Sequence, residues 1–265
     1  MGLTGKAEDV EFPAIKSEGK AIGPLIDGIL VINKERGWTS NDVVQKVKGM
    51  LKARKVGHTG TLDPDAEGVL PICIGKATKL SSRFINTDKV YKCVLRLGIE
   101  TDTEDLTGKV INKANDTDLE TLDYDKVKQA ILSFIGDYDQ VPPMYSAKKV
   151  GGKKLYDLAR SGIEIERKPS KVYIASIDNI EFLARDIQRI SFIVSCSKGT
   201  YIRSLCRDIG KKLIVGGTME SLVRMRTGPF TIEDSLKISE AQALLSEGLL
   251  EDRILTMGQL SELIQ

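Results

Sequence analysis

Residues 190–213 read ISFIVSCS, then KGT, then YIRSLCRDIGKKL. In the first eight residues Ile190, Phe192, Val194 and Cys196 fall on one face, the period-two pattern of a strand with one buried side. After Lys198-Gly199-Thr200 the apolar positions become Ile202, Leu205, Ile209 and Leu213, which is helical spacing. One strand running directly into one helix sets the theme for the chain. Residues 90–97, VYKCVLRL, alternate in the same way, with Tyr91, Cys93, Leu95 and Leu97 together. Short apolar runs, GILVIN (28–33) and VLPICI (69–74), read as buried strands. Helices are expected after Ser40-Asn41-Asp42, with Val43, Val44, Val47 and Leu51 inward, from about Ala77 to Phe84, and over 125–135, stopped by Gly136. Ser239 with Gln242 suggests a capping box for a late helix. Residues 56–68, VGHTGTLDPDAEG, read as a loop, and the two prolines of VPPMYSA (141–147) demand extended backbone. Strands and helices mix without regular βαβ alternation, so the class is α+β with a mixed, mostly antiparallel sheet.

The chain has 265 residues, 41% of them hydrophobic, enough for a substantial core. It contains a single histidine, His58, which excludes multi-histidine metal sites and HExxH peptidases. The four cysteines include no CxxC pair, so a zinc ribbon is absent and a reducing, cytoplasmic setting is expected. Residues 1–27 lack a signal-peptide core and read as a flexible N-terminal arm. No apolar run is long enough to span a bilayer, so no membrane association is expected. The net charge of +2 hides an acidic stretch near 100–125 and basic clusters at 145–171 and 198–212. Interleaved with Tyr145, Tyr156, Tyr173 and Tyr201, the basic residues can track a phosphate backbone or form a solvated face. Gly75-Lys76 is followed by Ala77 and no glycine stands five residues before it, so it is not a P-loop.

Three segments can carry chemistry. Asp63-Pro64 lies among Gly57, Gly60 and Gly68. It fits a simple turn, and it also fits a loop folded closely on a substrate with one carboxylate presented to a sugar carbon. Tyr91 at the start of its strand is either core or part of a site. Arg203 lies in the first turn of a helix, a poor place for a cation on dipole grounds, unless a carboxylate or phosphate holds it or solvent does.

Together these segments resemble the TruB-type tRNA pseudouridine synthases. The matching stretches are GILVINKERGWTSNDVVQKVK, KVGHTGTLDPDAEGVLPICIGKATK, DKVYKCVLRLG with TDTEDLTG, VPPMYSAKKVGGKKLYDLARSGIE, CSKGTYIRSLCRDIG and LVRMRTGPF, in family order over about residues 28–230. The resemblance implies the pseudouridine-synthase fold, with a catalytic domain over 28–230. An RNA-gripping insertion lies within about 100–171, and its basic part is 145–171. Residues 231–265 are expected to form a short helical stub, without a full C-terminal RNA-binding module.

The implied reaction breaks N1–C1′ in a uridine, turns the uracil and joins C5 to C1′, with no cofactor or metal. By motif match Asp63 is the catalytic aspartate, Arg203 its partner, and Tyr91 a base-stacking candidate for acid–base work. Tyr201 and Leu222 line the uracil pocket, and His58 fills the space left by flipped nucleotides. The implied substrate is the T-loop uridine of tRNA, position 55 in the usual count, flipped out of its loop. A monomer needing no guide RNA is expected. The alternatives are a tRNA-folding chaperone with secondary catalysis and a guide-RNA-dependent synthase. Two departures stand out. Lys34-Glu35 replaces the family's usual Lys-Pro, removing a fixed φ. Asp65 and Glu67 add charge beside Asp63 and are expected to point away from RNA.

Overall fold

The computed structural model describes residues 26–146 and 148–263, so the expected arm lies, except for Ile26 and Asp27, outside the described residues. The chain begins with β1 (Gly28–Lys34), α1 (Ser40–Met50), β2 (Val56–His58) and β3 (Glu67–Ile74). A 3₁₀ turn (Gly75–Leu80) and the short α2 (Ser81–Ile85) lead into β4 (Lys89–Leu97). Next come the hairpin β5 (Ile99–Thr101) and β6 (Val110–Lys113), then α3 (Asp116–Glu120), α4 (Tyr124–Leu132) and β7 (Gly136–Gln140). The two-residue strands β8 (Lys149–Val150) and β9 (Lys153–Lys154) and helix α5 (Leu155–Arg160) precede the long β10 (Ser170–Phe182). The chain continues through β11 (Arg189–Cys196), α6 (Ile202–Leu213), β12 (Gly217–Thr227), β13 (Phe230–Thr231), α7 (Ile238–Ser246), β14 (Ile254–Thr256) and α8 (Met257–Glu262).

The main sheet runs β14-β1-β3-β12-β4-β11-β10-β7, with β2 on β3 and β13 on β12. Within it β14-β1-β3 is antiparallel, and so is β12-β4-β11-β10-β7. The two halves join at one short parallel contact, Val223 opposite Glu67 and Arg224 opposite Gly68. Gly68 makes that join possible: its φ is +103°, and a Cβ there would lie 2.2 Å from the Arg224 carbonyl oxygen. The fold is thus α+β on a mixed, mostly antiparallel sheet.

The larger core packs Val43, Val44 and Val47 of α1, Val127 and Ile131 of α4, and Ile202, Leu205, Ile209 and Leu213 of α6 onto the sheet. Each of these side chains contributes roughly 1.5–3 kcal/mol on burial. β1 is buried on both faces, because Ile29 and Val31 join Phe84, Phe230 and Leu260 in a second cluster. Cys93 of β4 and Cys206 of α6 are both buried, with their sulfurs 3.5 Å apart.

Several local expectations change in the structure. The cap of α1 is Thr39, in a capping box with Asp42, which leaves Ser40 free to point elsewhere. The loop expected over 56–68 holds β2 at one end and the start of β3 at the other. The span from 77 to 84 splits into the 3₁₀ turn and α2. The late helix starts at Ile238, and Glu240, not Gln242, accepts from the backbone N–H of the residue preceding the helix, Lys237. Ser239 therefore sits inside the first turn. Residues 231–263 carry more than helix: β14 pairs with β1 and extends the sheet edge. Among the described residues no helix is long and apolar enough to cross a membrane.

Candidate active site

The segment from Thr59 to Ala66 links β2 to β3 beside the parallel join. Asp63 opens a turn there: its carbonyl accepts from Ala66 N–H, with Pro64 supplying the fixed φ of the second position. Four side chains from distant parts of the chain hold this loop. Ser40 Oγ accepts from Leu62 N–H at 2.9 Å and donates to Leu62 C=O at 3.0 Å. Lys34 Nζ donates to the carbonyls of Glu35, Trp38 and Pro64. The turn that lacks the family's proline is therefore tied together by the lysine preceding it. Burial pushes the Lys34 ammonium down to about 8, opposed by the charges of Glu67, Asp63 and Asp65. Arg224, fully buried, donates to the carbonyls of Val69 at 2.7 Å, Gly60 at 3.1 Å and Thr61 at 3.4 Å.

The fourth side chain is Arg203, only 5% exposed and in the first turn of α6, as the reversed dipole placement anticipated. Its Nε lies 3.0 Å from Asp63 Oδ2. Nη1 donates to Thr103 C=O at 2.9 Å, and Nη2 donates to Tyr145 C=O at 2.7 Å. Asp105 Oδ2 stands 3.8 Å from the same Nε, so two carboxylates share one guanidinium. The planar fork is fixed by acceptors on three separate connecting segments, which suits arginine and not lysine. Asp63 itself remains 42% exposed and borders a cleft.

Tyr91 projects from β4 opposite Arg224 of β12. Burial pushes its phenol above the usual tyrosine range, while the adjacent Arg224 guanidinium pulls the other way. Tyr201, the residue preceding α6, is gripped by the buried amide of Gln140. Oε1 accepts from Tyr201 N–H at 2.8 Å, and Nε2 donates to Tyr201 C=O at 2.9 Å. Leu222, buried on β12, supplies an apolar wall. A cleft of about 320 Å³ is bordered by Asp63, Tyr91, Tyr201, Arg203 and Leu222 together. A larger hollow of about 480 Å³ lies behind Tyr145 and contains none of these five.

His58 is placed differently. It ends β2, and its Nδ1 accepts from Gly60 N–H at 3.2 Å. It does not line the cleft. Burial, with Arg224 nearby, holds its pKa below the ordinary value, so the ring is neutral at pH 7 and carries its proton on Nε2. Asp65 turns to Arg36 at 3.0 Å, an exposed pair.

Residues 48–202 match the family model of the TruB family pseudouridylate synthase N-terminal domain. Residues 203–265 match that of the tRNA pseudouridylate synthase B C-terminal domain. The chain belongs to the TruB family of pseudouridylate synthases. As a TruB-family member it is an isomerase. It is 54% identical over 226 residues to tRNA pseudouridine synthase B of Clostridium kluyveri, covering 85% of this chain and 75% of that one. It is 44% identical over 232 residues to the Bacillus licheniformis protein of the same name, covering 87% and 74%. Among solved structures, a chain of a Cbf5–Nop10–Gar1 complex aligns with TM-score 0.69 and 26% identity, over 90% of this chain and 63% of that one. This TruB chain thus spans less than two thirds of that solved chain.

Motif matching singles out Asp63, Tyr91, Arg203, Tyr201 and Leu222, and the fold brings all five to one cleft. It missed the roles of Ser40, Gln140, Asp105 and Arg224, and of Lys34 as an anchor. Arg224 lies inside the LVRMRTGPF stretch, where a charge between Val223 and Met225 is its only mark in the sequence.

Proposed function

We propose that this TruB-family chain converts uridine to pseudouridine in the T loop of tRNA, at position 55 in the usual count, acting in the cytoplasm as a monomer without guide RNA. The observation that carries this reading is one exposed carboxylate, Asp63, held 3.0 Å from a buried guanidinium in a cleft with a buried tyrosine. Such a site starts a glycosidic cleavage without delivering water. Hydrolysis needs a second carboxylate aimed at a water. Here the second carboxylate, Asp105, is occupied by Thr103 and Thr107 and turned toward Arg203.

The chain's groups divide the work as follows. Arg203, 3.0 Å from Asp63, orients that carboxylate toward C1′ of a flipped-out uridine. Tyr91 stacks on the uracil, and its neutral phenol stands ready for proton transfer. Leu222 and Tyr201 close the pocket, which strengthens the electrostatics within it. N1–C1′ breaks and C5–C1′ forms. The C5 proton leaves to solvent and N1 gains one, so the sum is an isomerisation. The test is tritium release from unmodified tRNA carrying 5-tritiated uridine, with purified protein and no added guide RNA or cofactor. Release of about one equivalent per tRNA is the expected result, and none overturns the reading.

A guide-dependent reading draws on the Cbf5-containing complex. Its identity to this chain is 26%, against 54% for the bacterial synthase, which favours self-sufficient action. Activity on bare tRNA separates the two.

His58 is assigned to the space left by the flipped nucleotides. Its neutral ring outside the cleft suits stacking, not proton transfer. His58→Ala is expected to weaken tRNA binding by about five- to 150-fold, the worth of one stacked base, while the single-turnover rate at saturating enzyme falls by less than about threefold. Loss of that rate would reassign His58 to the chemistry.

A further inference from the structure

Ser146 borders the cleft and is 5% exposed, yet its Oγ has no hydrogen-bond partner among the described residues. Nearby hydroxyls are used: Ser40 on Leu62, Thr200 on the Ser197 carbonyl, Ser204 on Glu104. Leaving one buried hydroxyl unsatisfied is unfavourable, and an enzyme tolerates it where a ligand completes the bond. Among the described residues the two other buried hydroxyls without a partner, Thr59 and Thr227, do not line the cleft.

The backbone of Ser146 is firmly placed. Its N–H donates to Met144 C=O at 3.0 Å, and its C=O accepts from Tyr156 N–H at 3.0 Å. The carbonyl of the preceding residue, Tyr145, accepts from Arg203 Nη2 at 2.7 Å. Asp63 lies on Nε of the same guanidinium. Ser146 is therefore one residue from an atom that shares the arginine with the carboxylate. At the other end of the segment, Gln140 is locked to Tyr201. The hydroxyl can turn among staggered χ1 positions without moving this backbone.

We propose that Ser146 is a substrate-contact residue whose hydroxyl pairs with the ribose 2′-hydroxyl of the flipped-out uridine. This rests on the reading that Asp63 acts at C1′. The neighbouring sugar carbon carries the 2′-hydroxyl, a group that both donates and accepts, as serine does. A hydroxyl beside the reacting carbon thus gives the site a means of telling RNA from DNA at the target nucleotide.

The test is a binding cycle in the Asp63→Asn background, which prevents turnover. The probes are T-arm stem-loop RNAs with uridine or 2′-deoxyuridine at the target position, and a stem-loop with a scrambled loop. Ser146→Ala is expected to raise Kd for the uridine RNA about fivefold, and for the deoxyuridine RNA by less than about 1.5-fold. Ser146→Thr, which keeps the hydroxyl, should bind within about twofold of the parent on both. Equal losses on the two RNAs from Ser146→Ala, or no loss on either, overturn the assignment. Should the parent bind the scrambled loop as tightly as the T loop, the T-loop reading fails, whatever the ratios at Ser146.

Discussion

Asp63→Asn is expected to abolish pseudouridine formation, with tritium release falling by at least ~10⁴-fold while tRNA affinity stays within about threefold. The substitution is nearly isosteric. An amide oxygen can still accept from Arg203 Nε at the 3.0 Å separation, and the turn from Asp63 to Ala66 uses only main-chain atoms. Ser40, Lys34 and Arg224 hold the loop through its backbone, so they keep their partners as well. The one thing removed is the negative charge beside the reacting carbon. A neutral amide neither adds to C1′ nor balances positive charge developing there. Full turnover by this variant would sink the assignment of Asp63. Retained binding with no turnover would also argue against a purely chaperone-like role, once cellular function is seen to fail with it.

Arg203→Ala should lose turnover by about 10²–10³-fold, with tRNA binding weakened only a few-fold. The guanidinium serves Asp63, Asp105 and the carbonyls of Thr103 and Tyr145 at once. Its loss leaves two carboxylates facing each other with no cation between them, and Asp63 loses its fixed orientation. Because Asp63 is 42% exposed, water takes over part of the lost pairing, and the stability cost should stay near 1–3 kcal/mol. Arg203→Lys should not restore the rate, since one ammonium cannot reach acceptors arranged around a planar fork. Single-turnover kinetics with thermal melts separate the two effects. A large drop in melting temperature with an intact rate would mean Arg203 is a structural strut and no more.

The strand-to-helix switch at 198–200 was legible because both of its periods lie in contiguous sequence. So was the oddity of Arg203, a cation at the wrong end of a dipole. The alternation of VYKCVLRL placed Tyr91 inward correctly. The supports of the 59–66 loop were not legible, for a physical reason. Ser40 reaches 22 residues to Leu62, Lys34 reaches 30 to Pro64, and Arg224 reaches 164 to Gly60. In each case the partner is a main-chain group, which every residue has, so no side-chain pattern marks it. Gln140 grips Tyr201 across 61 residues in the same way. The parallel join of β3 to β12 was equally hidden. Only two residue pairs define it, and its single sequence mark is a glycine, Gly68, among many.

The paired sulfurs of Cys93 and Cys206 provide a built-in clock. One lies two residues beyond Tyr91, and the other three beyond Arg203, so they touch where the strand and helix carrying those side chains meet. All four thiols are buried, and burial also raises the Cys206 thiol far above its ordinary range and carries Cys73 and Cys196 to about 12, so alkylating reagents have almost no access in the closed molecule. Labelling at Cys93 or Cys206 then counts the moments when α6 lifts from β4. Mass spectrometry of that slow modification, with and without RNA, times the breathing of the cleft without any substitution.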